Sequence, residues 1–271
     1  MVDIMQDTAQ LLGFAEKLAR DAGAIILEYF EKFDKAVELK ADESPVTIAD
    51  KKINNLVIER ITQSYPDHGV LGEEGSIHED RNELWVCDPI DGTKSFIQRI
   101  PTALFSLAFV VDGSPEVAVV YDPYQDKMFS AIKGKGAWVN GSELAVSKQD
   151  KIGEASIALT PRYNDMIRWR TFLDGLQNEK TNLVLVPGNV FKSTIIATGH
   201  IDGYIFPGRS AHDIAAAKLI VEEAGGKVTD LKGDEQRYDG KIYGAIISNG
   251  VLHDQIVEKL ATFGPDNFVG Y

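Results

Sequence analysis

Asp88 and Asp91 bracket a proline and an isoleucine in the run Trp85-Val-Cys-Asp88-Pro89-Ile90-Asp91-Gly92-Thr93-Lys-Ser-Phe96. The apolar residues 84–87 ahead of them read as a buried strand. Pro89 has no N–H for a ladder and biases Asp88 toward extended backbone, which predicts that the strand stops there. Gly92 and Thr93 then open a short helical segment over residues 94–98. Both carboxylates therefore converge on one strand-to-helix turn, with the Ile90 carbonyl between them. Held that close they repel each other unless a cation sits among them, and an all-oxygen ligand set favours a hard ion, Mg²⁺ first. The N–H groups of Gly92 and Thr93 would point out of the helix start, a seat for a phosphate. A hard cation beside an anion seat predicts phosphoryl chemistry.

The flanking elements must present that turn. Residues 8–33 predict a long amphipathic helix with Leu11, Ala15, Leu18, Ala22, Ile26 and Tyr29 on one face, capped by Asp7 or Thr8. A polar loop over 40–46 precedes a second helix, 48–65, with Ile53, Val57 and Ile61 inward. Val70 and Leu71 lead a short strand into Gly72-Glu73-Glu74, and the polar residues 75–82 predict a mobile loop. Runs 103–112, 116–121 and 127–132 read as antiparallel strands separated by turn signals. The glycines of 134–141 lack dinucleotide-loop spacing and no helix follows them, so a hairpin edge is expected. From residue 155 the pattern alternates. Strands are expected at 155–160, 183–186, 203–206, 227–229 and 245–248, and helices at 165–176, 190–198, 212–224 and 251–261. The reading is one unit, 1–271, with an N-terminal α+β lobe over 1–150 and a C-terminal α/β lobe over 151–271.

Pieces spread along the chain resemble one family. Asp88-Pro-Ile-Asp-Gly-Thr93 is joined by Pro45-Val-Thr-Ile-Ala-Asp50, by Gly72-Glu-Glu-Gly75, and by Asp213-Ile-Ala-Ala with Glu223-Ala-Gly-Gly226. In order and spacing they are similar to the inositol monophosphatase family of Mg²⁺-dependent, lithium-sensitive phosphatases. That group includes inositol monophosphatases, some fructose-1,6-bisphosphatases, a type of histidinol phosphatase and nucleotide 3′-phosphatases. The resemblance implies a layered αβαβα sandwich and two or three Mg²⁺ ions held by Glu73, Asp88, the Ile90 carbonyl, Asp91 and Asp213. It implies that Thr93 and Asp50 activate the attacking water, that Asp91, Gly92 and Thr93 meet the phosphate, and that the protein is a homodimer. Lys40 falls near a family lysine. Where animal-type relatives place a glutamate against the ring hydroxyls, this chain has Phe206, which cannot accept a hydrogen bond and counts against myo-inositol 1-phosphate. Arg209 is the candidate for a second anionic group on the substrate, and His212 replaces the usual tryptophan.

At 271 residues with a net charge of −13, the chain is expected to bind neither nucleic acid nor an anionic membrane, both of which need clustered Lys and Arg. Cys87 is the single cysteine, so no intrachain disulfide forms. The first residues lack the basic and apolar regions of a signal peptide, and a cytoplasmic location is expected. The partner is then a small phosphate ester. Two other classes stand beside this reading. A glycosidase built on Asp88 and Asp91 is disfavoured because two acids on one turn cannot flank a sugar bond. A non-catalytic binding protein on a phosphatase fold is disfavoured because every ligand type is retained.

Overall fold

The apolar stripe beginning at Leu11 winds into α1 (Val2–Phe30) in the computed structural model, which describes residues 2–32, 37–40, 45–160 and 169–264, with the backbone alone for 2–7. Leu11, Ala15, Leu18, Ala22, Ile26 and Tyr29 are buried along it as their spacing requires. The helix starts ahead of the expected boundary, so Thr8 lies inside it and is not its cap; Phe33 lies outside the described residues. Strands β1 (Glu38–Leu39) and β2 (Pro45–Val46) form a small antiparallel pair. Helix α2 (Ile48–Ser64) begins after Thr47, whose N–H and hydroxyl both donate to Asp50 Oδ2, at 2.8 and 2.5 Å. That capping box holds one oxygen of Asp50 in place.

A seven-stranded sheet follows in chain order: β3 (Gly69–Gly72), β4 (Glu83–Asp91), β5 (Leu104–Val111), β6 (Ser114–Asp122), β7 (Lys127–Ile132), β8 (Gly136–Val139) and β9 (Ser142–Glu143). Helix α3 (Thr93–Ile97) leaves the end of β4. Within this sheet, among the described residues, only β3 and β4 pair in parallel. The strand expected to stop at Asp88 instead runs through Pro89 to Asp91. Its pairing with β5 shifts between Asp88 and Asp91, and at such an irregularity the missing N–H of Pro89 breaks no ladder bond. The expected mobile loop over 75–82 is tied down near its start. Val70 and Ile77 exchange backbone hydrogen bonds at 2.9 Å, and the Asn54 side chain donates to the Gly75 carbonyl at 3.0 Å.

The second sheet is built from alternating units: β10 (Ser156–Leu159), α4 (Arg170–Asn178), β11 (Asn182–Val184), α5 (Asn189–Ala197), β12 (Gly203–Phe206), α6 (Ala215–Glu223), β13 (Lys227–Thr229), β14 (Ala245–Ser248) and α7 (His253–Phe263). Its order is β11-β10-β12-β14-β13, with β11, β10 and β12 parallel and β14 antiparallel to both neighbours. Residues 165–168 of the helix expected over 165–176 lie outside the described residues. The helix expected over 212–224 is split: a single 3₁₀ turn, Ala211–Asp213, precedes α6.

Helices α1 and α2 cover one face of the first sheet, α5 and α6 lie between the two sheets, and α4 and α7 cover the far face of the second. The result is an αβαβα sandwich. Strand β4 is buried on both sides, which accounts for its unbroken apolar run. Trp85 and Cys87 face α1 and α2, while Leu84 and Val86 face the middle layer. Among the described residues no helix is long and apolar enough to cross a membrane.

Candidate metal centre and active site

The end of β4 delivers Asp88 and Asp91 to the middle layer, and the 3₁₀ turn ahead of α6 brings Asp213 to meet them. One carboxylate oxygen from each of the three lies within 4.8 Å of the others. Local geometry fixes each acid. Asp88 Oδ1 accepts the Ile90 N–H at 3.0 Å, and Gly92, at φ 89°, turns the chain into α3. Asp91 accepts the N–H groups of Asn189 at 2.7 Å and Phe191 at 3.0 Å, so it occupies the positive end of α5. This approach needs a glycine just before that helix. A Cβ on Gly188, whose φ is 81°, would stand 2.8 Å from Asp91 Oδ2. Asp213 accepts a hydrogen bond from Asn189 Nδ2 at 2.9 Å, and Asn189 Oδ1 accepts one from the Tyr204 hydroxyl at 2.7 Å.

Burial and mutual repulsion dominate the charge of these acids. Burial, then the nearby charges of Glu73, Asp91 and Asp213, push the Asp88 carboxyl well above its ordinary range. Asp91 is pushed up to about 6 by burial and by Asp213, against the two helix N–H groups and Lys192. Asp213 is raised by burial, which outweighs His212 and Asn189. Burial and repulsion favour the protonated acids and a bound cation would favour the ionised ones, and carboxylates with the Ile90 carbonyl beside them form a donor set that fits a hard divalent ion. Glu73 lines the same cavity but stands outside the tight triad of aspartates. Lys40 Nζ holds it at 2.7 Å and reaches Glu74 at 2.5 Å. Burial opposes the charge on Lys40, but Glu73 and Glu74 prevail and raise its pKa.

A cavity of about 520 Å³ opens over the acids. Glu73, Asp88, Ile90, Asp91, Gly92, Thr93 and Asp213 line it, as does an apolar wall of Leu159, Leu185, Val186 and Pro187. Thr93 Oγ1 lies 3.4 Å from Asp50 Oδ1 and 3.2 Å from the Ile90 carbonyl, donating toward either. Burial, opposed by the Thr47 hydrogen bonds, raises Asp50 to about 6. Asp50 therefore serves both as helix cap and as partner of Thr93. Phe206 is not among the lining residues; it packs in the core of the middle layer, its ring 6.3 Å from that of Tyr204. Arg209 is exposed and also outside the lining. His212 Nε2 lies 3.9 Å from Asp213 Oδ2.

Sequence reasoning missed Asn189, Lys192, Tyr204 and Thr160. The Thr160 and Tyr204 hydroxyls lie 2.8 Å apart, and they hold Asn189, which in turn holds Asp213. Lys192 is fully buried, and burial lowers its pKa to about 8 against the pull of Asp91 and Asp213. One signal was visible: a lysine set between Val190-Phe191 and Ile195-Ile196, on a helix that had to be buried.

The sequence model described as the inositol monophosphatase family matches residues 7–263. A Thermotoga maritima protein named fructose-1,6-bisphosphatase/inositol-1-monophosphatase is 30% identical over 247 residues, 91% of this chain and 94% of that protein. A Pasteurella multocida protein named Nus factor SuhB is 36% identical over 229 residues, 82% of this chain and 86% of its own. Among solved structures, a Thermotoga maritima IMPase superposes with a TM-score of 0.85 at 28% identity, covering 95% of this chain and 99% of that one.

Proposed function

The chain belongs to the inositol monophosphatase family, and from that membership we propose that it is a Mg²⁺-dependent phosphomonoesterase acting on a small phosphate ester. The observation that carries the proposal is the meeting of Asp88, Asp91 and Asp213 at the floor of an open cavity. Glu73, those aspartates and the Ile90 carbonyl would hold two or three Mg²⁺ ions. When bound, the ions polarise the phosphate and make water a better nucleophile.

The protein's own groups supply the rest. Asp50, fixed by Thr47, accepts the Thr93 hydroxyl proton as the Thr93 oxygen takes one from the attacking water, so the proton ends on Asp50. Asp91, Gly92 and Thr93 border the phosphate, and the apolar wall excludes water from the leaving-group side. Phe206 lies in the core and offers no acid to a ring hydroxyl. A sugar, polyol or histidinol phosphate, or fructose 1,6-bisphosphate, therefore fits the proposal as well as an inositol phosphate does. We extend it to a homodimer, which light scattering of the purified protein checks.

The relatives named Nus factor SuhB favour a second reading, a binding role without turnover. The complete acid set and its Thr93–Asp50 neighbour support catalysis over it. Phosphate release from a panel of inositol, sugar, histidinol and nucleotide phosphates, with Mg²⁺ and with EDTA, separates the two. Turnover that needs Mg²⁺ is expected, and no release from any ester would leave the binding role.

A further inference from the structure

Lys192 stands in a position that its own helix disfavours. Its side chain curls back from the first turn of α5 so that Nζ donates to the Gly188 carbonyl at 2.8 Å. The ammonium is fully buried, and it lies at the positive end of the helix, where a cation is repelled. Two features offset this. The Tyr204 ring offers its face at 4.9 Å from Nζ to centroid, and Asp91 and Asp213 lie close enough to favour the charge. Both features belong to the acid cluster: Asp91 caps the same helix, and Tyr204 holds Asn189 against Asp213. Lys192 also lines the cavity over those acids. Of the groups that answer this buried charge, the Gly188 carbonyl and the Tyr204 ring are neutral, and only Asp91 and Asp213 can carry an opposite charge.

We infer that Lys192 is a built-in counter-cation on the Asp91–Asp213 side of the cluster, and that it weakens and limits divalent-ion binding there. The inference rests on reading the acids as a metal centre. An ion held by Asp91 and Asp213 shares a low-dielectric pocket with a fixed positive charge, so its affinity is lower than the carboxylates alone would give. The same charge steadies the acids when no ion is bound. Lys192 is thus a positioning residue that tunes ion affinity, distinct from the ligands themselves.

The test is a Mn²⁺ titration of the purified protein followed by the EPR signal of the free ion, which counts bound ions and their affinities without turnover. Wild type is compared with Lys192→Met, close in shape and neutral, and with Lys192→Gln, which can still donate to Gly188. Thermal melts show which variants are folded. Removing the charge is expected to tighten the weaker ion on the order of tenfold or more, or to add a bound ion. Equal or weaker Mn²⁺ binding in a folded variant overturns the inference and leaves the metal centre intact. Loss of inorganic-phosphate binding with an unchanged Mn²⁺ isotherm overturns it too, because Lys192 would then be a phosphate ligand. If wild type takes up no Mn²⁺, the metal centre itself fails and the inference with it.

Discussion

Mg²⁺ is expected to stabilise this protein, and increasingly so as pH rises from about 4 to about 6, because protons compete for Asp91 over that window. The folded carboxyl is raised from 3.8 to about 6. Its charged form is therefore a penalty on the ion-free fold, absent below the unfolded value and complete above the folded one. As pH rises through this range the ion-free protein loses stability, and a bound ion restores it. For each pH unit below about 6 the apparent ion affinity falls roughly tenfold, so two units cost about 2.7 kcal/mol of ion-linked stability. Asp91 is buried, so solvent screening removes little of this. For a chain of this length the gap between melting temperatures with Mg²⁺ and with EDTA should widen by about 6 °C. Asp88 and Asp213, also raised, add in the same direction.

The difference between the two melts is the quantity to measure, not either curve alone. His253 is buried between the Thr229 and Ser248 hydroxyls, and burial followed by Lys227 lowers its pKa from 6.5 to about 4. It contributes stability that is lost as pH falls through that same window, the opposite slope, and it does so with or without an ion. Calorimetric melts in paired Mg²⁺ and EDTA samples cancel it. A gap that stays constant from about pH 4 to about pH 7 would refute the claim that the buried aspartates are ion ligands.

Other expectations are narrower. Asp88→Asn should reduce phosphate release by about a thousandfold or more in a steady-state assay while the circular dichroism stays unchanged, since it removes an acid central to the cluster. Thr93→Ala should lower kcat by roughly a hundredfold or more with KM little altered, because the side chain acts on the water and not on substrate binding. His253→Gln should flatten the acid limb of the stability curve, and wild type should lose about 3 kcal/mol relative to it as pH falls from 6.5 to about 4, read from urea melts.

Most of this architecture was legible because its signals are local. The strands over 203–206, 227–229 and 245–248 carry their own apolar runs and turn residues, and they fall where expected. Asp88 and Asp91 announce themselves by proximity in sequence. The errors share one cause, which is that the decisive partner is remote. Pro89 stays within its strand because the pairing with β5 shifts there, and no residue near it signals that. Residues 75–82 look loose until Val70 pairs with Ile77. Asn189, Lys192 and Tyr204 come from the second sheet and its helix, and they acquire a role only when α5 is laid across Asp91. Asp50 is paired with Thr93 in the sequence only through the family resemblance; in the fold one of its oxygens closes the capping box with Thr47 and the other is left to Thr93.

That division of labour explains how a protein can assemble such a site before any ion arrives. Four buried or partly buried acids meeting in a low-dielectric layer would force the sheets apart if nothing answered them. Here each is answered separately: Asp91 by the start of α5, Asp213 by Asn189, Glu73 by Lys40, and Asp88 by the Ile90 N–H together with its own raised proton affinity. Asp91 lies on the first sheet and its two donors lie on a middle-layer helix that packs against the second, so the hydrogen bonds that tolerate the acid also clamp the layers. The acids are therefore preorganised by the contacts that hold the sandwich together. An ion bound as proposed would compete with protons and would not have to gather distant strands.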